Sequence, residues 1–169
     1  FLSVLPPWHI FERTVEYVCL TQGARLVYTD LRRFKQDLSE KHPTFVPSVP
    51  RVWESVHDAV KKALAEGSPM RRRLFGTAFA VADRRVRAYD LARGLSERVE
   101  PPGLLTRAWN GLVAALLFLP DLLLRSIVFK KIRTLTGGRL RGAVVGGGLM
   151  PPHVDRFFRA VGMPVLVGY

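Results

Sequence analysis

Short apolar runs alternate with helical segments at both ends of this chain, and a long stretch of purely helical pattern separates the two ends. The runs have the length of buried strands and cover residues 3–6, 26–29, 44–49, 141–145 and 165–167. Helical spacing covers 10–20 and, after a capping Asp30, 31–39. Strands and helices in alternation predict parallel strands with right-handed crossovers. We therefore expect an α/β fold in which a layered sheet is flanked by helices.

The middle of the chain, residues 51–136, carries only helical patterns. One amphipathic helix has an apolar face formed by Trp53, Val56, Val60 and Leu64. Ser68 and Pro69 then supply a cap and a first-turn proline for a second helix, and a third helical stretch covers 104–135, with a kink or break at Pro120. We therefore divide the chain into sheet-forming parts at 1–50 and 137–169, which belong to one domain, and a helical insertion at 51–136.

Positive charge is concentrated in the insertion. The net charge is +12, and the segment from Arg51 to Arg141 holds 18 Lys or Arg against 8 Asp or Glu, which places +10 of the charge there. An anionic partner is expected to bind this segment. Cys19 is the only cysteine, and the first residues lack the order of charges and apolar residues typical of a signal peptide. These features favour a cytoplasmic protein.

Three turns carry residues that could contact a ligand. The triplet Gly146, Gly147 and Gly148 follows a predicted strand and opens a helix, where bare backbone lets a ligand approach. His9 follows the first strand, and Gly168 with Tyr169 follows the last one. Each turn also has a purely structural interpretation: a tight turn that needs small residues, a capping histidine and a core aromatic ring.

Four stretches in a fixed order resemble one family. They are Leu5-Pro6-Pro7-Trp8-His9, then Ser48-Val49-Pro50-Arg51-Val52-Trp53, then the glycine triplet, and finally the residues 162–169 that end in Gly168-Tyr169. Their order and spacing are similar to those of AMP-forming ligases that activate long-chain fatty acids, and most similar to the branch with acyl-acyl carrier protein synthetases of cyanobacteria and plastids. The resemblance covers the whole chain and implies that it is an internal piece of a larger adenylate-forming domain.

The resemblance also implies roles for individual residues. Such ligases join a fatty acid to AMP from ATP and then pass the acyl group to the thiol of coenzyme A or of a carrier protein's phosphopantetheine. In this chain Gly146, Gly147 and Gly148 would line the nucleotide and acyl pocket, and Gly168 with Tyr169 would contact adenine. His9 would orient the carboxylate of the fatty acid. The residues Pro50, Arg51 and Trp53 form a signature with a structural role.

The resemblance implies equally what this sequence lacks. The family commonly has Ser before its glycines, where Val145 stands here, and the turn's contacts to nucleotide must do without that hydroxyl. The phosphate loop, the Mg²⁺ ligand and the mobile carboxyl-terminal domain of the family would lie outside residues 1–169. We therefore expect no metal site within these residues and no turnover from them alone.

The basic insertion leaves several interpretations open. Its helices could present a solvated face, lie on an anionic membrane surface at the inner face of a membrane, or dock an acidic acyl carrier protein. The latter two could also describe a module without catalysis. Nucleic-acid binding is the weakest alternative despite the pI of 10.8, because the basic residues lack aromatic interleaving and zinc-ligand spacing. We expect no nucleic acid among the partners.

Overall fold

The computed structural model describes residues 1–95, 101–163 and 165–168, which form helices and short parallel strands. The strands in these ranges are β1 (Leu2–Ser3), β2 (Val27–Tyr28), β3 (Phe45–Ser48), β4 (Gly142–Val145) and β5 (Val165–Val167). The helices are α1 (Ile10–Thr21), α2 (Phe34–Glu40), α3 (Pro50–Ala65), α4 (Pro69–Arg93), α5 (Leu104–Leu116), α6 (Phe118–Val128), α7 (Lys130–Leu135) and α8 (Pro152–Val161). The mixed fold class predicted from the sequence is confirmed.

The strands pair in parallel, as predicted. β1 pairs with β2, and a second sheet has the order β3-β4-β5, with Val46 opposite Ala143 and Ala143 opposite Val165. β1 contacts β3, but strand pairing does not join the two sheets within the described ranges. A single layered sheet therefore stays a prediction, as do the domain bounds. β1 covers Leu2–Ser3 rather than residues 3–6. Pro6 and Pro7 have no N–H to donate to a neighbouring strand, so strand pairing could not continue through them.

The described part of the insertion consists of helices joined by short connections, and a local signal sets the start of α4. The Ser68 hydroxyl accepts a hydrogen bond from the Arg71 N–H at 3.3 Å, so the predicted cap of α4 is confirmed. The third stretch divides into α5, α6 and α7, and the predicted kink or break does not fall at Pro120. Pro120 is the third residue of α6, and the break falls before it at Leu117. The helix tolerates this proline because residues in the first turn need no N–H partner.

The core lies between the three-stranded sheet, α3 and α8. Trp53 is fully buried and meets the Phe158 ring edge-on, with centroids 5.0 Å apart. α8 buries one whole face, made of Val154, Phe157, Phe158, Ala160 and Val161. The predicted apolar face of α3 is confirmed at Trp53, Val56 and Val60. This packing fixes α8, and with it the glycine turn that precedes the helix.

Ion pairs fasten α4 to α8. The carboxylate of Asp83 is buried and accepts two hydrogen bonds from Arg156, at 2.7 and 2.8 Å, and also pairs with Arg87. Further along the same two helices, Arg159 pairs with Asp90. The Arg156 hydrogen bonds hold the pKa of Asp83 below its usual value, against the effect of burial. The insertion is thus held to the helix that follows the glycine turn.

A close backbone contact leads into β4. The carbonyl of Gly137, after α7, is 2.7 Å from Nδ1 of His42, after α2. Both residues have positive φ, +82° for Gly137 and +48° for His42. A Cβ at Gly137 would lie 2.5 Å from the carbonyl oxygen of Leu38 and 2.9 Å from Cα of His42. Only glycine fits at position 137, so this contact fixes where the chain enters β4.

Candidate functional site

The carboxyl ends of the strands share one edge. The rings of Phe1 and Phe45, which lie at the starts of β1 and β3, are 5.0 Å apart. Because β1 also contacts β3, we infer that both parallel sheets run in the same direction. A surface depression joins the segments after β1 and β2, and a second one continues from Leu31 to Val49 and Arg51 after β3. Loops after parallel strands are the usual place for a ligand in an α/β fold.

The glycine turn packs against the ends of both neighbouring strands. The N–H of Gly146 donates to the Ser48 carbonyl at 3.1 Å, and the N–H of Gly168 donates to the Val145 carbonyl at 2.7 Å. Gly147 has a φ of +76°, in the left-handed region that favours glycine. A Cβ at Gly148 would lie 3.5 Å from Cγ of Pro50, an ordinary contact. Gly146, Gly148, Gly168 and Pro50 are therefore brought together at this edge.

The backbone of this turn is accessible. Gly147 and Gly148 are exposed, while Gly146 is buried beneath them between β3 and β4. Because neither glycine has a side chain that could cover its peptide group, a ligand could approach the backbone directly. Tyr169, the predicted adenine-stacking residue, lies outside the described residues.

His9 lies at the same edge, after β1, but its known contacts are local. It is exposed and is the N-cap of α1, where its Nδ1 accepts a hydrogen bond from the Phe11 N–H at 3.3 Å. The preceding Trp8 is also exposed and lines the depression after β1. With Nδ1 acting as acceptor, a neutral His9 ring carries its proton on Nε2, which is then available as a donor.

The signature residues divide between core and surface. Pro50 is the first residue of α3 and is buried, and Arg51 is exposed beside the depression after β3. The indole N–H of Trp53 donates to the hydroxyl of Ser48 at 2.7 Å, and both groups are buried. This bond ties α3 to the last residue of β3, next to the glycine turn.

Glu12 is a residue near the site that the sequence interpretation did not single out. Glu12 is the third residue of α1, and its side chain is fully buried. Neither carboxylate oxygen has a hydrogen bond of good geometry within the described part of the chain. Burial raises the pKa of Glu12 and nearby Glu16 raises it further, while the Ser3 hydroxyl lies close enough to oppose the rise. A glutamate three residues after an N-cap usually accepts a hydrogen bond from the N–H of the cap. Here the His9 N–H donates to the Pro6 carbonyl instead, so the sequence held no signal for the burial of Glu12.

The described side chains do not form a cluster of metal ligands. Among residues 1–95, 101–163 and 165–168, no group of three or more His, Cys, Asp or Glu side chains is placed to hold a metal ion. His57 of α3 and His153 of α8 are neighbours, with ring centroids 5.4 Å apart, whereas His9 and His42 lie in connections before α1 and after α2. No step of a reaction is therefore assigned to a metal held by these residues.

The parallel strands, the glycine turn and the accessible edge are features of a nucleotide-binding α/β enzyme. The chain belongs to the family of AMP-binding enzymes, whose model matches residues 1–169. It is 34% identical over 175 residues to the chloroplastic long-chain-fatty-acid acyl-carrier-protein ligase of Arabidopsis thaliana, covering 100% of this chain and 24% of that protein. It is 36% identical over 175 residues to probable acyl-activating enzyme 16 of the same plant, with the same coverage.

A third relative is more distant. The chain is 31% identical over 177 residues to long-chain-fatty-acid CoA ligase 1 of Schizosaccharomyces pombe, covering 99% of this chain and 22% of that protein. The chain thus spans about a quarter of the length of the curated relatives it matches. No solved structure shows a significant match to the chain. The family resemblance stated from the four sequence stretches is confirmed.

Proposed function

We propose that the chain is part of a ligase that activates long-chain fatty acids with ATP. Membership of the AMP-binding enzyme family over residues 1–169 carries this proposal, and relatives named as long-chain fatty acid ligases support it. A carboxylate oxygen of the fatty acid attacks the α-phosphorus of ATP and pyrophosphate leaves. The sulfur of a thiol then attacks the acyl carbon, and AMP leaves. The thiol is that of coenzyme A or of a carrier protein's phosphopantetheine.

In this proposal the glycine turn admits the nucleotide and the acyl carboxylate. The exposed backbone of Gly147 and Gly148 supports that role, because a side chain at Gly148 would occupy the space beside Pro50 and one at Gly147 would extend into open space where the ligand would lie. The N–H of Gly168 donates to the last residue of β4, which places the end of the described chain at this edge. The adenine contact is the role that the family resemblance implies for Tyr169. ATP would bring Mg²⁺, whose ligands the family resemblance assigns to residues outside this sequence.

His9 orients the carboxylate before it attacks. Since Nδ1 accepts the capping hydrogen bond, Nε2–H can donate to a carboxylate oxygen of the substrate. Fixing the attacking oxygen in line with the α-phosphorus lowers the entropic part of the barrier. The role is one of positioning, without transfer of a proton to or from the ring.

A pair of variants separates this role from capping. The assay is ATP–pyrophosphate exchange by the full-length protein, dependent on added long-chain fatty acid. Asparagine is a good N-cap, so His9→Asn keeps the acceptor for the Phe11 N–H and removes the Nε2 donor. We expect exchange to fall by about 100-fold in both His9→Asn and His9→Ala, because a misplaced reactant costs on that order. Only His9→Ala should also lower the melting temperature.

The outcomes test two statements separately. Exchange at the wild-type rate in His9→Asn would show that His9 only caps α1, and the ligase proposal would stand. Absence of fatty-acid-dependent exchange in the wild-type full-length protein would overturn the ligase proposal. Adding coenzyme A or a phosphopantetheinylated carrier protein to the active protein, and measuring thioester formation, identifies the acceptor.

A further inference from the structure

The outer surface of α5 and α6 is apolar along its whole length. Seven large apolar side chains, each 52 to 88% exposed, recur every three or four residues across both helices; this apolar stripe consists of Leu105, Trp109, Leu112, Leu116, Leu119, Leu123 and Ile127. Exposed apolar surface of this extent in one strip is typical of an interaction site. Scattered single apolar residues would not form such a row.

The opposite face of the same two helices is already packed. Gly111 of α5 approaches the Cβ of Ala92 in α4, and Arg107 donates from Nε to the Ala92 carbonyl at 3.1 Å. On α6, the buried Asp121 accepts from Arg85 at 2.9 Å and from Arg125 at 2.7 Å. These contacts fix both helices on α4, so the apolar stripe points away from the rest of the described structure.

Charge around the apolar stripe has one sign. Residues 101–141 contain seven Lys or Arg and one acidic residue, Asp121, which is buried and paired with two arginines. The 13 residues of 108–120 carry no charge, which is about 20 Å of helix. Lys130 and Lys131 are exposed just beyond the end of α6. An apolar centre flanked by cations is the pattern of a helix that lies in a membrane interface.

We propose that α5 and α6 bind the surface of an anionic membrane, with the apolar stripe inserted among the lipids. A second copy of the chain is disfavoured, since two copies would bring their basic flanks together. An acidic protein would match the flanks but would find no charge along the central 20 Å. No single described helix is long and apolar enough to cross a bilayer; α5 and α6 together meet that length and composition, but they are bent by 46° at their junction.

The bend and the packed inner face favour binding in the interface over spanning. A helix that crosses the bilayer would have to bring Asp121 and its two arginines into hydrocarbon, where charged groups are costly. Lying flat, the helices keep these groups on the protein side. Trp109 near the middle of α5 then lies at the depth where tryptophan is enriched in membrane proteins.

Co-sedimentation with vesicles tests the proposal on the full-length protein without ATP or fatty acid. The vesicles are pure phosphatidylcholine or contain 30% phosphatidylglycerol. We expect strong binding to the anionic vesicles and weak binding to the neutral ones. Leu116→Ser with Leu123→Ser should lower the partition coefficient by at least about tenfold, and Lys130→Gln with Lys131→Gln should remove most of the preference for anionic lipid. Leu20→Ser, an exposed leucine of α1 away from the stripe, is the matched control.

Four results would overturn the proposal. Two concern the membrane: anionic vesicles recover the wild type and Leu116→Ser/Leu123→Ser equally, or the protein stays in the membrane after washing with alkaline carbonate. The other two concern the protein: the wild type is an oligomer that the leucine variant dissociates, or the leucine variant lowers the melting temperature by more than Leu20→Ser does. The last result would mean that other parts of the full-length chain cover the stripe. Because no activity is measured, none of these results depends on the proposed ligase function.

Discussion

Neutralising Asp83 is expected to loosen α4 from α8. Asp83→Asn keeps the shape of the side chain and removes the charge that holds Arg156 by two hydrogen bonds of 2.7 and 2.8 Å. Hydrogen bonds to charged groups contribute about 1.5–3 kcal/mol. Because the Arg156 side chain is 53% exposed, solvent screens the pair, and we expect the lower part of that range. The predicted loss in free energy of unfolding is about 2 kcal/mol.

A double-mutant cycle isolates the pair. Urea unfolding of wild type, Asp83→Asn, Arg156→Gln and the double variant should give a coupling energy of about 1–2 kcal/mol. Arg87→Gln is the matched control, because Arg87 pairs with the same carboxylate at i,i+4 on the helix surface and should couple by no more than about 0.5 kcal/mol.

The coupling also depends on pH in a defined direction. Arg156 lowers the pKa of Asp83 in the folded state, so the stabilisation is complete above the unfolded-state pKa of about 3.9 and is lost as the pH falls through the lower folded-state value. The coupling should therefore be constant from pH 7 to about pH 5 and decrease below about pH 4. A coupling under about 0.3 kcal/mol at pH 7, or equal effects of Arg87→Gln and Arg156→Gln, would refute this reasoning.

Two further pairs of substitutions test the backbone and the core. Gly138→Ala should lower the free energy of unfolding by about 1–2 kcal/mol for its left-handed φ alone. Gly137→Ala should lower it by more than about 3 kcal/mol, because its Cβ would also overlap the Leu38 carbonyl. Similar urea midpoints for the two variants would contradict this. Trp53→Phe should lower the free energy of unfolding by about 1–3 kcal/mol, because it leaves the Ser48 hydroxyl buried without its donor. Adding Ser48→Ala to Trp53→Phe should then lower the free energy of unfolding little further. Strictly additive losses would count against a stabilising hydrogen bond between Trp53 and Ser48.

Local signals in the sequence predicted much of the fold. The Ser68 cap acts within one turn of α4, and the apolar face of α3 follows from helical spacing, so neither depends on the rest of the molecule. Parallel pairing followed from the alternation of strands and helices. The prediction for β1 was wrong because it followed the apolar run through to Pro6, although proline has no N–H for a neighbouring strand. The predicted kink or break at Pro120 was wrong for a different reason: a proline in the first turn of a helix needs no N–H partner, and the break falls before it at Leu117.

Contacts between distant residues were beyond the sequence alone. Asp83 and Arg156 are 73 residues apart, and nothing in either segment identifies the other as its partner. The complete burial of Glu12 likewise depends on residues outside its own helix, which the spacing within that helix does not reveal. The glycine turn could be identified from its composition, but its contact with Pro50 and its bond to Ser48 needed the three-dimensional arrangement.

The attachment of α4 to α8 has a consequence for comparing related proteins. Arg156, Arg159 and Phe157 of α8 all have partners on α4, namely Asp83, Asp90 and the rings of Phe75 and Phe79. A homologue in which α3 led directly to β4 would leave the two arginines without these partners and the Phe157 ring covered only on the side of His57 in α3. We therefore expect natural sequences with a short connection to carry different residue types at these three positions. The residues just after the glycine turn would then report the length of a segment that lies before it.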